Sequence, residues 1–331
     1  MINNIKNSHY ISQNGSLFLS KETFKSYIIF FGIFVFTLII SPLYVSGDQA
    51  AYNDFYQSSK GLNLIDTYQR QIVILGSADI GYSLIIWMVS DLISKNIFMS
   101  ISNGILAVLV YKLSRSLDLP IWFFVGIIFS FYALVLFFAA ERLKFAAIFV
   151  CYAFLWRGLF SKSIILILAS IFHLQAIIVL LLVYLHSLSR KSFILNLFKI
   201  RSYFTSAIIL SIILIFGFVA FEYFMTKLLD YLSFDPINLI KPLILGIILI
   251  LCLKDKLYAF LLSSFFVLAC LVIGTDRIIM MQFIVTLFLL NYRNSLDMYI
   301  LLILFFYLFI KSIEFVTKIA ICGEGFLCQI Y

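Results

Sequence analysis

The chain has 331 residues, of which 63% are apolar and 12% charged, with a formal net charge of +8 and a mean hydropathy of +1.09. Soluble domains run at about 45–50% apolar and about 25% charged, so this composition cannot cover a water-facing surface. The apolar runs are long enough for helices, unlike the short alternation of an outer-membrane barrel. The basic excess reads first as a topology signal, and no nucleic-acid partner is expected. The fold class is therefore all-α: a polytopic membrane protein, with residues 1–331 forming a single integral membrane domain.

In chain order, a polar leader over 1–26 carries Lys6, Lys21 and Lys25 and is expected to stay cytoplasmic. The run 27–45 follows without a cleavage-site pattern and reads as a signal anchor leading outward. The acidic stretch that follows (Asp48, Asp54, Asp66, Asp79) lies outside, so 46–96 forms the first external loop. Within that loop, GYSLIIWMVSDLI (81–93) reads as an amphipathic helix on the outer face. The chain must be inside again by Lys112 and Arg115, which makes 97–111 the return crossing.

Segment 119–139 then leads out and 145–156 back. Between them lies AAERLKF (139–145), a junction that places Glu141, Arg142 and Lys144 at the outer membrane edge and not in lipid. Basic residues flank the run 164–188 on both sides, predicting two short re-entrant helices that meet near His173 and Gln175. Such irregular backbone is tolerated at membrane depth only where protein or a water-filled cavity lines it. Crossings at 203–221, 239–253, 258–273, 278–291 and 298–317 complete about 11 membrane helices. The tail 318–331 ends outside.

The five cysteines match no metal spacing. Cys151, Cys252 and Cys270 sit in apolar runs as packing residues. Cys322 and Cys328 bracket GEGFL in the external tail, where disulfides form and persist. Closing so short a loop contributes roughly 2–3 kcal/mol by the chain-closure argument, so the bond is expected to pin the tail without being needed for catalysis.

Ionisable residues at membrane depth are costly and point to function. Arg142 and Arg277 each open a helix directly after an acid, Glu141 or Asp276. The guanidinium fork suits phosphate oxygens, and a helix N-terminus adds a favourable dipole. The plainer reading is two local acid–arginine ion pairs, with Lys144 snorkelling from a helix end. Asp48 is a candidate carboxylate base. No Walker, Rossmann or nucleophile-elbow pattern occurs, and no cofactor or metal is expected.

Five short elements, in order, resemble the EpsG-like, Wzy-type polysaccharide polymerases of bacteria, which belong with the multi-spanning GT-C-like glycosyltransferases. GDQAAYNDFY (47–56) is similar to the family's acid followed four residues later by tyrosine, here Asp48 and Tyr52. ADIGYSLI (78–85) resembles its interfacial acid–glycine–aromatic element, without the usual proline. ERLKFAAIF (141–149) resembles the arginine before a small-residue helix, with Leu143 where glutamine is common. ASIFHLQAII (169–178) resembles the histidine signature, with Gln175 where serine is common. TDRIIMMQF (275–283) resembles the late arginine corner.

The resemblance implies an enzyme of the bacterial inner membrane with a cytoplasmic N-terminus and a periplasmic C-terminus. Such enzymes join undecaprenyl-pyrophosphate-linked oligosaccharide repeat units on the periplasmic face and release undecaprenyl pyrophosphate. Donor and acceptor glycans, the bilayer, and a chain-length regulator and flippase are the implied partners. Arg142 and Arg277 would bind the pyrophosphate. Asp48 or His173 would take the acceptor proton, the former favoured because related enzymes use an acid in the first external loop. Tyr52, Glu141, Lys144, Gln175 and Asp276 would line the substrate. A flippase or transporter of lipid-linked glycans, and a GT-C transferase using a lipid-monophosphate sugar, are the alternatives.

The threading makes its own prediction. Single cysteines placed near Lys162 and near Ser192 are both shielded from an impermeant thiol reagent added outside. Labelling near Ser192 alone would show one straight crossing over 164–188.

Overall fold

The computed structural model describes residues 21–156, 158–173, 176, 239–253, 255–273, 275–289, 295–326 and 328. Among them every regular element is a helix. The order is α1 (Lys21–Ile40), a 3₁₀ turn (Ser41–Leu43), α2 (Asp48–Ser58), α3 (Leu64–Leu75), α4 (Ile80–Val89), α5 (Lys95–Ser116), α6 (Ile121–Ile128), α7 (Phe131–Phe138), α8 (Glu141–Leu155), α9 (Leu159–Phe172), α10 (Ile240–Cys252), α11 (Lys256–Ile273), α12 (Thr275–Leu289) and α13 (Ser295–Cys322). Two compact units result, one of residues 1–180 with 305–331 and the other of 181–304.

The distribution of polarity is that of a membrane protein. On α1, Phe24, Tyr27, Ile28, Phe31, Val35 and Ile39 recur every three or four residues and are all at least half exposed, while Thr37 is fully buried. Thr37 satisfies its hydroxyl on the carbonyl of Ile33. Ser100, Ser102 and Asn103 of α5 are likewise inside. Polar side chains are thus found inside beside large aromatic ones such as Phe55, Phe123 and Phe137, while a face of large apolar residues is left outside.

The expected eleven crossings are not what the described residues present. Three helices are long and apolar enough to cross: Lys21–Leu43, Lys95–Ser116 and Asp297–Cys322. Counting each bent pair as one span adds Leu64–Leu75 with Ile80–Val89, bent by 117°, and Ile121–Ile128 with Phe131–Phe138, bent by 53°. The expected span 119–139 breaks because Ser130 caps α7, its hydroxyl accepting from the amide of Ala133 and donating to the carbonyl of Ile127. The return expected over 145–156 is the 15-residue α8. The expected crossing 203–221 lies outside the described residues, as does the second half of the 164–188 hairpin. Its first half, α9, does stop at His173, whose extended backbone ends the helix before a turn in which its carbonyl accepts from the amide of Ala176.

Two further points differ from expectation. The first external loop holds two helices that the sequence reading did not assign, α2 and α3. Asn63 starts α3 by accepting the amide of Asp66 on its side chain, and left-handed Gly76 stops it. The helix expected to lie on the outer face is not amphipathic. α4 buries Gly81, Tyr82, Ser83 and Ile86 and presses Gly81 against α9, where a Cβ would come within 2.9 Å of the Phe172 ring.

The helix directions in the first unit follow from a few contacts. Tyr111, near the end of α5, donates to Glu22 at the start of α1 at 2.7 Å, so the two run antiparallel. Lys95 and Glu141 meet, so α5 and α8 start at the same end. Phe172 stacks on Phe149, with ring centroids 4.8 Å apart, as α9 returns along α8. The amides of Val45 and Ser46 bond the carbonyl of Gly323, so α1 and α13 finish at that same end. One polar end therefore gathers the exit of α1, helix α2, the α3–α4 corner, the starts of α5 and α8, and the ends of α9 and α13.

Closest approach between α1 and α5 occurs at Gly104, where a Cβ would meet the Phe30 ring at 2.7 Å and its carbonyl oxygen at 3.1 Å. Gly104→Leu should therefore overpack this seam and destabilise the protein by about 1–3 kcal/mol. Thermal unfolding in detergent checks it, with the exposed Ile105→Leu as the silent control.

Candidate functional site

The first turn of α8 organises the polar end. At about 100° per residue, Lys144 falls on the same side of the helix as Glu141, while Arg142 is turned away from both. Glu141 is 2% exposed and Lys144 is not exposed at all. These two charges were expected at the membrane edge; instead they are enclosed by protein, and Lys144 does not snorkel. The reason lies in the bend after α6. It leaves short α7 with unpaired terminal carbonyls, and Lys144 and Asn103 both donate to the carbonyl of Phe137, at 3.1 and 3.2 Å.

Glu141 bonds Lys95 of α5 at 2.9 Å through one oxygen and accepts the hydroxyl of Tyr82 at 2.7 Å through the other. Lys95 also donates to the side-chain oxygens of Gln49 and Asn53, each at 2.8 Å. Its three ammonium protons thus have three acceptors, and the pair meets the requirement that buried charges be matched and fully hydrogen-bonded. The Tyr52 ring lies below the ammonium, 5.7 Å to its centroid. The cavity beside Gln49, Lys95 and Glu141 measures only ≈ 10 Å³. This cluster is core and not a chamber for a sugar.

Arg142 faces the other way. Its Nη1 bonds Asp79 at 2.6 Å, and its Nε donates to the hydroxyl of Tyr52 at 3.2 Å. The arginine's acid is therefore Asp79, across the α3–α4 corner, and not its neighbour Glu141. That corner is held by buried Gln71, whose amide reaches the carbonyls of Ser77 and Asp79 and whose oxygen takes the Ser83 hydroxyl. Nη2 has no hydrogen bond among the described residues, and the arginine side chain is 13% exposed. Burial pushes the Tyr52 hydroxyl up from its ordinary pKa, with the Arg142 charge acting in the opposite sense. In charge, Lys95, Arg142 and Lys144 are matched at this end by Asp79, Glu141 and Asp48.

Asp48 is exposed at the N-terminus of α2, one residue before buried Gln49. Buried His173 ends α9, directly after the Phe172 that touches Gly81. The first unit thus assembles Asp48, Tyr52, Glu141, Arg142, Lys144 and His173 at one end. Gln175 lies outside the described residues. Asp276 and Arg277 are in the first turn of α12 in the second unit, and their side chains are not described. The expected external corner over 274–277 leaves little room for a loop, since α11 ends at Ile273 and α12 begins at Thr275.

Sequence reasoning missed Lys95, Gln49 and Asn53, and took Asp79 as a loop acid and as the acid of the 78–85 element, without a role in the site. One signal was present. Gln49, Tyr52, Asn53 and Tyr56 fall at i, i+3, i+4 and i+7, the spacing of one helix face.

Comparison with protein-family models, with curated proteins and with solved structures finds no match for this chain.

Removing one partner of a buried pair is far costlier than removing both. Glu141→Gln, which leaves Lys95 and Lys144 without a counter-charge, should cost about 3–5 kcal/mol. Lys95→Met combined with Glu141→Leu should cost clearly less than either single change. Thermal unfolding of the four proteins gives the coupling directly.

Proposed function

We propose that the chain is a membrane glycosyltransferase that polymerises undecaprenyl-pyrophosphate-linked oligosaccharide repeat units on the outer face of the bacterial inner membrane. The observation that carries this reading is Arg142, held on two sides by Asp79 and Tyr52 at the polar end of an apolar bundle, with its side chain still partly exposed. The order of the five sequence elements supports it.

In this reaction a hydroxyl of the acceptor glycan attacks the anomeric carbon of the donor sugar. The bond from that carbon to the pyrophosphate oxygen breaks, and undecaprenyl pyrophosphate leaves. The proton of the hydroxyl passes to Asp48 or His173. Arg142 stabilises the charge growing on the leaving pyrophosphate, an electrostatic role that needs a fixed donor and no covalent step. Arg277 is proposed as the second cation. The open position of Asp48 suits contact with a bulky glycan. A chain-length regulator and a flippase are proposed as partners.

Purified protein incubated with lipid-linked repeat units should yield a ladder of glycan lengths. Transfer of a single unlengthened unit across the bilayer would favour a flippase instead, and use of a lipid-monophosphate sugar would favour the other transferase class. Arg142→Ala should lower polymer formation by roughly 10²–10³-fold, with the protein still in the membrane. Arg142→Lys should recover little, because a point charge does not replace the planar fork. Near-normal chain lengths in Arg142→Ala would remove the proposed donor site.

A further inference from the structure

The end of the chain is tied to the start of α2. The structure pairs Cys322 with Cys328, their Cα atoms 6.1 Å apart, so the last helical residue of α13 closes a short loop. The first residue of that loop, Gly323, takes a left-handed conformation at φ 69°, which stops the helix and turns its carbonyl sideways. That one carbonyl oxygen accepts three hydrogen bonds. The amides of Val45 and Ser46 donate at 3.0 Å each, and the Ser46 hydroxyl donates at 2.8 Å.

Side chains seat the loop. Phe326 packs on Phe315 at 5.2 Å and on Phe131 at 6.4 Å, and Phe315 also meets Tyr44 at 6.2 Å. Gly325 has no room for a side chain, since a Cβ there would meet the Phe315 ring at 2.2 Å. Gly47 follows, with the Glu324 carboxylate 3.0 Å from where its Cβ would stand. Gly47 is the N-cap of α2. The segment grasped by the tail therefore leads directly into Asp48, Gln49 and Tyr52.

We propose that the Cys322–Cys328 loop is a redox-dependent clasp that fixes residues 44–47 and thereby sets the position of the N-terminal turn of α2. The geometry favours this over a tail that is merely pinned, because Gly323 gives its carbonyl to another segment and not to its own helix. Only Gly tolerates the left-handed turn that aims the carbonyl without strain. Opening the clasp breaks one S–S bond and yields two thiols, taking two electrons and two protons from a dithiol reductant that itself becomes a disulfide. Closing it is the reverse exchange with an oxidised dithiol carrier. The reduced tail keeps its contacts with Phe315, but its backbone regains freedom, and the carbonyl is no longer held on Val45 and Ser46.

Hydrogen exchange on the detergent-purified full chain, before and after treatment with a small dithiol, tests this without recourse to any activity. Reduction should lower the protection of the Val45 and Ser46 amides at least tenfold while leaving α5 and α8 unchanged. The Cys322→Ser, Cys328→Ser double variant should reproduce the reduced pattern in untreated protein. Unchanged protection at 44–49 after complete reduction overturns the clasp, as does full alkylation of both cysteines in protein never exposed to reductant. Equal loss of protection through α5 and α8 overturns it too, because the bond would then hold the whole unit and not this segment. These outcomes stand whether or not the chain polymerises glycans.

Discussion

Buried inside a bundle of apolar helices, the ammonium of Lys95 and the carboxylate of Glu141 fix the rest of the polar end around themselves. Neither charge is tolerable there alone, so each recruits what it lacks. Lys95 draws Gln49 and Asn53 from α2, and Glu141 draws Tyr82 from α4. Polar α2 and apolar α4 are thereby both docked on the starts of α5 and α8. Since α8 begins at Glu141, the same contact sets the rotation of that helix. Arg142, one residue on, then meets Asp79 and Tyr52. Its position depends on a pair it does not touch.

The polar end is thus built in two depths with different tasks. The inner depth satisfies every donor on Lys95 and leaves no chamber large enough for a substrate, so its contribution is rigidity. The outer depth leaves donor capacity on Arg142 and leaves Asp48 exposed. The proposed role of Arg142 needs both, because a site built without a supporting shell is left too loose to act. The Gln71 bracket under the α3–α4 corner serves the same end from the other side, holding Asp79 where the arginine needs its counter-ion.

What the sequence made legible was the class and the residues of chemical interest, and less of how they meet. Runs of apolar residues identified α1, α5 and α13, because length and hydropathy alone decide a long crossing helix. The break at His173 was legible from the two basic flanks of one apolar run. The break at Ser130 was not, since a single serine inside FSFYALV looks like any tolerated polar residue until its hydroxyl caps a helix. Glu141 and Lys144 were misplaced because charge next to an apolar run signals an interface by default, and the partners that make burial possible lie 46 residues upstream in Lys95 and in a backbone carbonyl. Asp79 and Arg142 are 63 residues apart. Pairings at such separations are tertiary facts that no local pattern contains.

The shortness of α8 and α9 has a mechanical consequence for the surrounding lipid. At 15 and 14 residues they are about 22 Å long, against a hydrocarbon core of about 30 Å. A bilayer meeting such a mismatch thins beside the short helices. Under the proposed function, such thinning would bring the pyrophosphate of a prenyl-anchored donor nearer the level of the first turn of α8 without lifting its tail from the leaflet.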